Sequence, residues 1–202
     1  IYRNYFVDVD GQIGQSADRQ IDGLAEIGKA LGNHQHALWR VMNGYMLPTP
    51  AGLAEVSARL AEFDDDAKDA LKQKLRIGIQ WHTEVTLGQA RHTVSQAYCS
   101  ALPIAYCQSE NMAEWELFAR LILEAAYEAC ICAAIINARQ TGNPRVFLTL
   151  LGGGVFGNPL GWIIDSIGHV LERYRNSGLE VGIVSHRNSQ PEVRRLLARV
   201  LA

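Results

Sequence analysis

Residues 145–162 of this 202-residue chain read RVFLTLLGGGVFGNPLGW, and the rest of the chain is best interpreted from them. An apolar run typical of a buried strand ends in three glycines, and a helical pattern begins after Asn158 and Pro159. In open α/β sheets, ligands bind where a strand ends and the next helix begins. Glycines there let backbone N–H groups approach a phosphate, and the helix N-terminus favours an anion. The stretch therefore predicts a diphosphate-binding loop.

A tight strand-to-helix connection is the structural alternative, and it requires only one glycine with positive φ. Four glycines, Gly152, Gly153, Gly154 and Gly157, are more than such a turn requires. The loop is not a P-loop, because no Gly-Lys-Ser/Thr follows. The spacing of Gly152, Gly154 and Gly157 matches the GxGxxG dinucleotide fingerprint. However, the loop comes late in the chain, and no acid follows the next predicted strand.

Apolar periodicity divides the remaining chain into helices and strands. It predicts helices at 16–31, 34–47, 53–63, 64–74, 112–140, 160–175 and 190–201, and strands or extended segments at 5–10, 75–81, 93–106 and 179–185. The C-terminal half alternates helix and strand, which favours parallel strands with right-handed crossovers. We expect one α/β domain over residues 1–202, with a mixed sheet between helices in three α/β/α layers. Because the chain begins at Ile1, we expect it to be an excerpt of a longer protein.

Composition argues against several classes of protein. A hydrophobic content of 48% and a charged content of 20% are typical of a soluble globular protein. The net charge of -2 would attract neither nucleic acid nor an anionic membrane, so we expect neither as a partner. The most apolar stretch carries Arg120, Glu124 and Glu128, which predicts a core helix rather than a membrane span. The four cysteines form no Cys-x-x-Cys pair, which favours reduced thiols, a cytoplasmic setting and no metal site.

The glycine-rich loop resembles the second ligand-binding loop of macrodomains, a family that binds ADP-ribose. In that family, backbone N–H groups of the loop hold the diphosphate and its aromatic residue packs on the distal ribose. The resemblance implies that residues 152–158 form the binding loop. Its members here are Gly152, Gly153, Gly154, Val155, Phe156, Gly157 and Asn158, with Phe156 beside the ribose. The Asn-Ala-Ala-Asn motif of the family's first loop is absent.

The segments that stand in place of that motif are 8–22, 83–86 and 94–103, and the first is rich in acids. This combination is similar to a divergent branch of the family, the arginine-specific ADP-ribosylhydrolases. The resemblance implies a hydrolase that removes ADP-ribose from arginine side chains of a modified protein partner. It implies no cofactor, because ADP-ribose is the ligand and the product. A binding module for ADP-ribose that does no chemistry is the alternative.

The acids of segment 8–22 suit this chemistry. The bond between arginine and ribose breaks through an oxocarbenium-like centre, which one carboxylate stabilises while another activates water. We predict that Asp10 and Asp18 serve ribose and water, and that Asp22 pairs with the guanidinium. On a helix, Asp18 and Asp22 would face one side because they lie four apart. Helix capping by Asp18 and a solvated ion pair of Asp22 with Arg19 or Lys29 stay open as structural alternatives.

Two further acids are candidate ligand-binding residues. Asp8 shares a strand face with Asp10 and would orient it, although by itself it suits a structural role. Glu84 follows the predicted strand at 75–81 and would face the same cleft, with a structural salt bridge as the alternative.

Overall fold

The structure is a computed structural model that describes residues 7–107, 111–185 and 188–200. Within these ranges the chain is a mixed α/β domain, which confirms the predicted class. The start of the predicted first strand, at Tyr5 and Phe6, lies outside the described residues, as does Leu201 at the end of the last predicted helix.

The helices and strands follow one another along the whole chain. In order they are β1 (Asp8–Val9), β2 (Gln12–Ile13), α1 (Ala25–Ala30), β3 (Trp39–Met42), β4 (Tyr45–Pro48), α2 (Pro50–Glu62), α3 (Asp65–Lys72), β5 (Gly78–Glu84), β6 (Thr93–Tyr98), α4 (Met112–Thr141), β7 (Arg145–Thr149), α5 (Leu160–Arg173), β8 (Glu180–Val184) and α6 (Pro191–Val200). Single 3₁₀ turns occur at His34–His36, Ile104–Tyr106 and Gly154–Phe156.

The C-terminal half has the predicted alternation of helix and strand. β7 and β8 pair in parallel, in register from Arg145 opposite Glu180 to Thr149 opposite Val184. The inward residue Leu148 is only 4% exposed and belongs to the same core as Ile163 of α5. Burial of this apolar face places the carboxyl ends of both strands beside the N-termini of α5 and α6.

The central element is α4, a 30-residue helix that packs against α2, α3, α5 and β7. By length and composition alone it could cross a membrane, but 44% of its most apolar 18-residue stretch is buried within the protein. Trp115, Phe118 and Leu123 are at most 1% exposed. The helix ends at Gly142, whose φ of 74° is the left-handed conformation that glycine adopts most readily. These features agree with the predicted core helix.

The predicted helix at 34–47 is wrong, because residues 39–48 form the β3–β4 hairpin. Asn43 and Gly44 make its two-residue turn with φ angles of 54° and 79°. An Asn-Gly pair is the preferred sequence for such a turn, since both positions need positive φ. The hairpin buries Trp39, whose ring packs against Phe118 of α4 at 5.4 Å between centroids.

The predicted helix at 16–31 is also wrong over its first half, because α1 begins only at Ala25. The carboxylate of Asp22 accepts a hydrogen bond from the Leu24 N–H at 2.8 Å, and the Ile21 N–H donates to the side chain of Gln15. Such bonds from side chain to backbone compete with helix formation. Asp18 and Asp22 therefore do not share a helix face.

The sheets of the described residues are four separate two-stranded pairs. β1–β2, β3–β4 and β5–β6 are antiparallel, and only β7–β8 is parallel. The outer face of β7 carries Phe147, which is 69% exposed, although parallel sheets are normally covered on both faces. Within the described ranges, the continuous mixed sheet between two helical layers is not formed.

Candidate functional site

The glycine loop, residues 152–158, connects β7 to α5. Gly152, Gly154 and Gly157 have φ angles of 80°, 63° and 74°, all in the left-handed region. The loop closes on itself, because the Asn158 N–H donates to the Gly152 carbonyl at 3.0 Å. Positive φ angles thus account for three of the four glycines, whereas a tight strand-to-helix connection would require only one.

Gly152 and Gly157 also serve packing. A Cβ atom on Gly152 would lie 2.4 Å from the Cβ of Ala101, and one on Gly157 would lie 2.9 Å from the Cβ of Ala105. The segment 99–107 therefore forms a floor against which these two glycines pack. A Cβ on Gly154 would meet no atom within 4 Å. The two glycines that are open to a ligand are Gly153 and Gly154, both exposed.

The open side of the glycine loop lines a cleft of about 690 Å³ at the carboxyl ends of β7 and β8. The N-termini of α5 and α6 begin at the same place, with Leu160 and Gln190 among the lining residues. This volume is within the range of small-molecule sites. Helix N-termini and free backbone N–H groups favour an anion, so the cleft suits a phosphate group.

Two side chains in the cleft have polar atoms without a hydrogen-bond partner among the described residues. Asn158 is 5% exposed, and its amide nitrogen donates to the carbonyls of Leu102 and Gly152 at 2.8 and 3.1 Å. Its Oδ1 atom and the Oγ of Ser185 are buried and unpaired. Unpaired buried polar atoms are costly, so a ligand that bonds to them would gain affinity. Asn158 thus holds the glycine loop to the segment 99–107 through its amide nitrogen.

Tyr127 supports the glycine loop from α4. Its hydroxyl donates to the Thr149 carbonyl at 2.9 Å and accepts from the Leu151 N–H at 2.8 Å. Burial raises the pKa of Tyr127, so the hydroxyl keeps its proton. These bonds fix the end of β7 just before the first glycine. Nothing in the local sequence indicated this role, because the partners lie more than 20 positions apart.

Phe156 belongs to an aromatic cluster with Tyr45 and Tyr106. The ring centroids of Phe156 lie 6.0 Å from Tyr45 and 5.5 Å from Tyr106, both edge to face. Tyr45 also lines a second, smaller cavity of about 90 Å³ together with Asp22 and Cys99. The aromatic cluster therefore connects the glycine loop to the cavity that holds Asp22. The sequence did not indicate Tyr45, because the β3–β4 hairpin was predicted as helix.

The three predicted catalytic acids have different surroundings. Asp22 is half-buried in the small cavity, and burial raises the pKa of its carboxyl group. Asp10 lies exposed in the β1–β2 turn with a φ of 51°. Asp18 is exposed, and a hydrogen bond from Ser16 at 2.8 Å lowers its pKa. Of the three, only Asp22 lines one of the two cavities.

The other predicted ligand-binding residues lie on the surface. Asp8 accepts a hydrogen bond from the Gly11 N–H at 3.0 Å, which is a turn-closing role. Glu84 is exposed at the end of β5, opposite Thr93 of β6. Val155 is 71% exposed at the tip of the glycine loop. None of the three lines the cleft or the cavity that Asp22 lines.

Within residues 7–107, 111–185 and 188–200, no three His, Cys, Asp or Glu side chains are grouped so that they could hold a metal ion. Comparison of the chain with protein-family models, with curated proteins and with solved structures gives no match. A functional assignment therefore depends on the chemistry of the cleft and on the resemblance of the glycine loop.

Proposed function

We propose that this domain is a macrodomain-like cytoplasmic hydrolase that binds ADP-ribose and removes it from arginine side chains of modified proteins. The observation that carries the proposal is the open cleft at the carboxyl ends of β7 and β8, with Gly153 and Gly154 exposed on its rim. The Gly154 N–H has no hydrogen-bond acceptor among the described residues, whereas the Gly153 N–H makes a 3.4 Å bond to the Leu150 carbonyl. Together with two helix N-termini, these groups suit a diphosphate. The proposed reaction is a hydrolysis and requires no redox cofactor.

The aromatic cluster supports a direction for the bound ligand. With the diphosphate at Gly153 and Gly154, a ribose on the Phe156 side would approach Tyr45 and then the cavity of Asp22. Ser185, whose Oγ has no partner within the described part of the chain, lies on the β8 side of the cleft, where the adenosine half would lie. In this arrangement the bond to arginine lies on the side of Asp22.

Asp22 is the acid best supported for the chemistry. Burial raises the pKa of the Asp22 carboxyl, which favours proton transfer, and its carboxylate form can pair with a guanidinium. In the proposed reaction, water attacks the ribose carbon as its bond to nitrogen breaks, and the guanidine leaves with a proton. Asp10 and Asp18 stay in the proposal as ribose and water ligands. Both would require segment 8–22 to approach the bound nucleotide, because they are exposed in the free protein.

A binding module without catalysis is the second candidate. It is favoured by the exposure of Asp10 and Asp18 and by the absence of both from the two cavities described above. Such a module would use the same glycine loop, so nucleotide binding does not separate the two functions. Release of ADP-ribose does.

The test is an assay of ADP-ribose release from an ADP-ribosylated arginine peptide, with ADP-ribose binding measured by calorimetry. We expect Asp22→Asn to keep binding and to lose about 10²–10⁴-fold in rate, as for loss of an acid–base group. Asp10→Ala and Asp18→Ala test the two exposed acids, and Asp66→Asn on the surface of α3 is the matched control. Binding without release by the wild type would support the module, and no binding would refute both functions.

A further inference from the structure

Two cysteines face each other behind the glycine loop. Cys99 directly follows β6, Cys130 lies in the middle of α4, and their Sγ atoms are 3.6 Å apart. A disulfide has an S–S bond of about 2.05 Å, so the sulfurs must approach by roughly 1.5 Å. The other two cysteines have different surroundings, since Cys132 is exposed beside the Tyr174 hydroxyl at 3.5 Å and Cys107 lies at the end of the floor segment.

We propose that Cys99 and Cys130 form a reversible disulfide when the protein meets a peroxide. The Cys99 thiolate attacks one peroxide oxygen and becomes a sulfenic acid as the O–O bond breaks and water leaves. The Cys130 sulfur then attacks the Cys99 sulfur, and the sulfenic oxygen leaves as a second water. Two thiols and one hydrogen peroxide thus give one disulfide and two waters.

The accessibility and acidity of the two thiols indicate which one attacks the peroxide and which one resolves the sulfenic acid. Cys99 lines the small cavity beside Asp22 and Tyr45, so a molecule as small as peroxide can reach it there. The hydrogen bond from Cys130 lowers the pKa of Cys99, and the same contact raises the pKa of Cys130. The thiolate is the nucleophile, so Cys99 reacts first and Cys130 resolves the sulfenic acid.

The disulfide would join the floor segment, residues 99–107, to α4. That segment supports the glycine loop, because Ala101 packs against Gly152 and the Leu102 carbonyl accepts from Asn158. Cys130 lies one helical turn after Tyr127, which holds the end of β7. Oxidation would therefore tie together the two supports of the glycine loop. This chemistry belongs to the thiols alone and does not depend on nucleotide binding.

The experiment uses a Cys107→Ser/Cys132→Ser variant, which keeps only the proposed pair. The protein is treated with equimolar hydrogen peroxide, alkylated with iodoacetamide and digested with trypsin. Cleavage at arginines places Cys99 in peptide 92–120 and Cys130 in peptide 121–139, so a disulfide gives one linked peptide pair. Controls are the same variant with Cys130→Ala added, and the oxidised variant reduced again with dithiothreitol.

We expect full protection of both thiols, a mass lower by about 2 Da, and recovery of both thiols after reduction. A crosslink closing a 31-residue span should raise the midpoint of thermal unfolding by about 10 °C. Alkylation of both thiols after peroxide treatment would overturn the proposal. So would a stable sulfinic acid on Cys99, or disulfides that link two chains instead of peptides 92–120 and 121–139 of one chain.

Discussion

Gly153→Glu should abolish most nucleotide affinity without disturbing the fold. Gly153 has φ and ψ of −69° and 173°, which any residue adopts without strain. A Cβ there would lie 3.5 Å from the Leu150 carbonyl oxygen and 3.6 Å from Ile163, which are ordinary contacts. Gly154 is less suitable, because its φ of 63° would strain any side chain. The position therefore accepts a carboxylate that projects from the rim of the cleft.

The size of the effect follows from Coulomb repulsion. A Glu carboxylate reaches roughly 5 Å from its Cα, so we take about 6 Å between it and a phosphate held at the loop. An open cleft has an effective dielectric constant of about 40, between protein surface and water. Two unit charges then repel by about 1.4 kcal/mol, and a diphosphate with two charges is weakened by about 2.8 kcal/mol. This corresponds to about 100-fold in Kd. Gly153→Gln has nearly the same size and no charge, so the difference between the two variants isolates the electrostatic part.

The assay is calorimetric titration of both variants with ADP-ribose at about 0.05 M and 1 M salt. The gap between Glu and Gln should shrink at high salt, because the screening length falls to about 3 Å. Unchanged thermal unfolding of both variants is the control for folding. Equal affinities for wild type, Gln and Glu variants at low salt would refute a diphosphate at the glycine loop.

Tyr127→Phe should lower the free energy of unfolding by about 1–3 kcal/mol, because it removes both hydrogen bonds of the hydroxyl. The Leu151 N–H and the Thr149 carbonyl then keep only the bond to each other, at 2.9 Å. Urea unfolding checks this, and an unchanged midpoint would contradict the supporting role. Asp22→Asn retains the acceptor for Leu24. Since burial raises the pKa of Asp22 above 3.8, the wild type loses stability as pH rises through the raised pKa. Asp22→Asn should lack this loss of stability when the free energy of unfolding is measured across pH 4–7. Parallel pH profiles of the wild type and the variant would contradict the prediction.

Local signals identified the elements whose ends depend on their own neighbours in the chain. Asp64, the first residue of the predicted helix at 64–74, caps α3 by accepting from the Ala67 N–H, and Gly142 ends α4. The parallel β7–β8 pair was likewise predictable, since two short apolar strands separated by an amphipathic helix permit few other arrangements. The errors arose where two local patterns competed. At residues 34–47 the helical spacing of apolar residues concealed the Asn43–Gly44 turn.

By itself the sequence determined the glycine loop, because a strand, four glycines and a helix specify a backbone conformation through local φ and ψ preferences. Only the tertiary structure decided which glycines pack against the floor and which face the cleft, and that Tyr127 anchors the end of β7. It also brought Asp22, rather than Asp10 or Asp18, to the cavity beside the aromatic cluster. These contacts join residues distant in the chain, and they depend on how the whole apolar core packs rather than on any local preference.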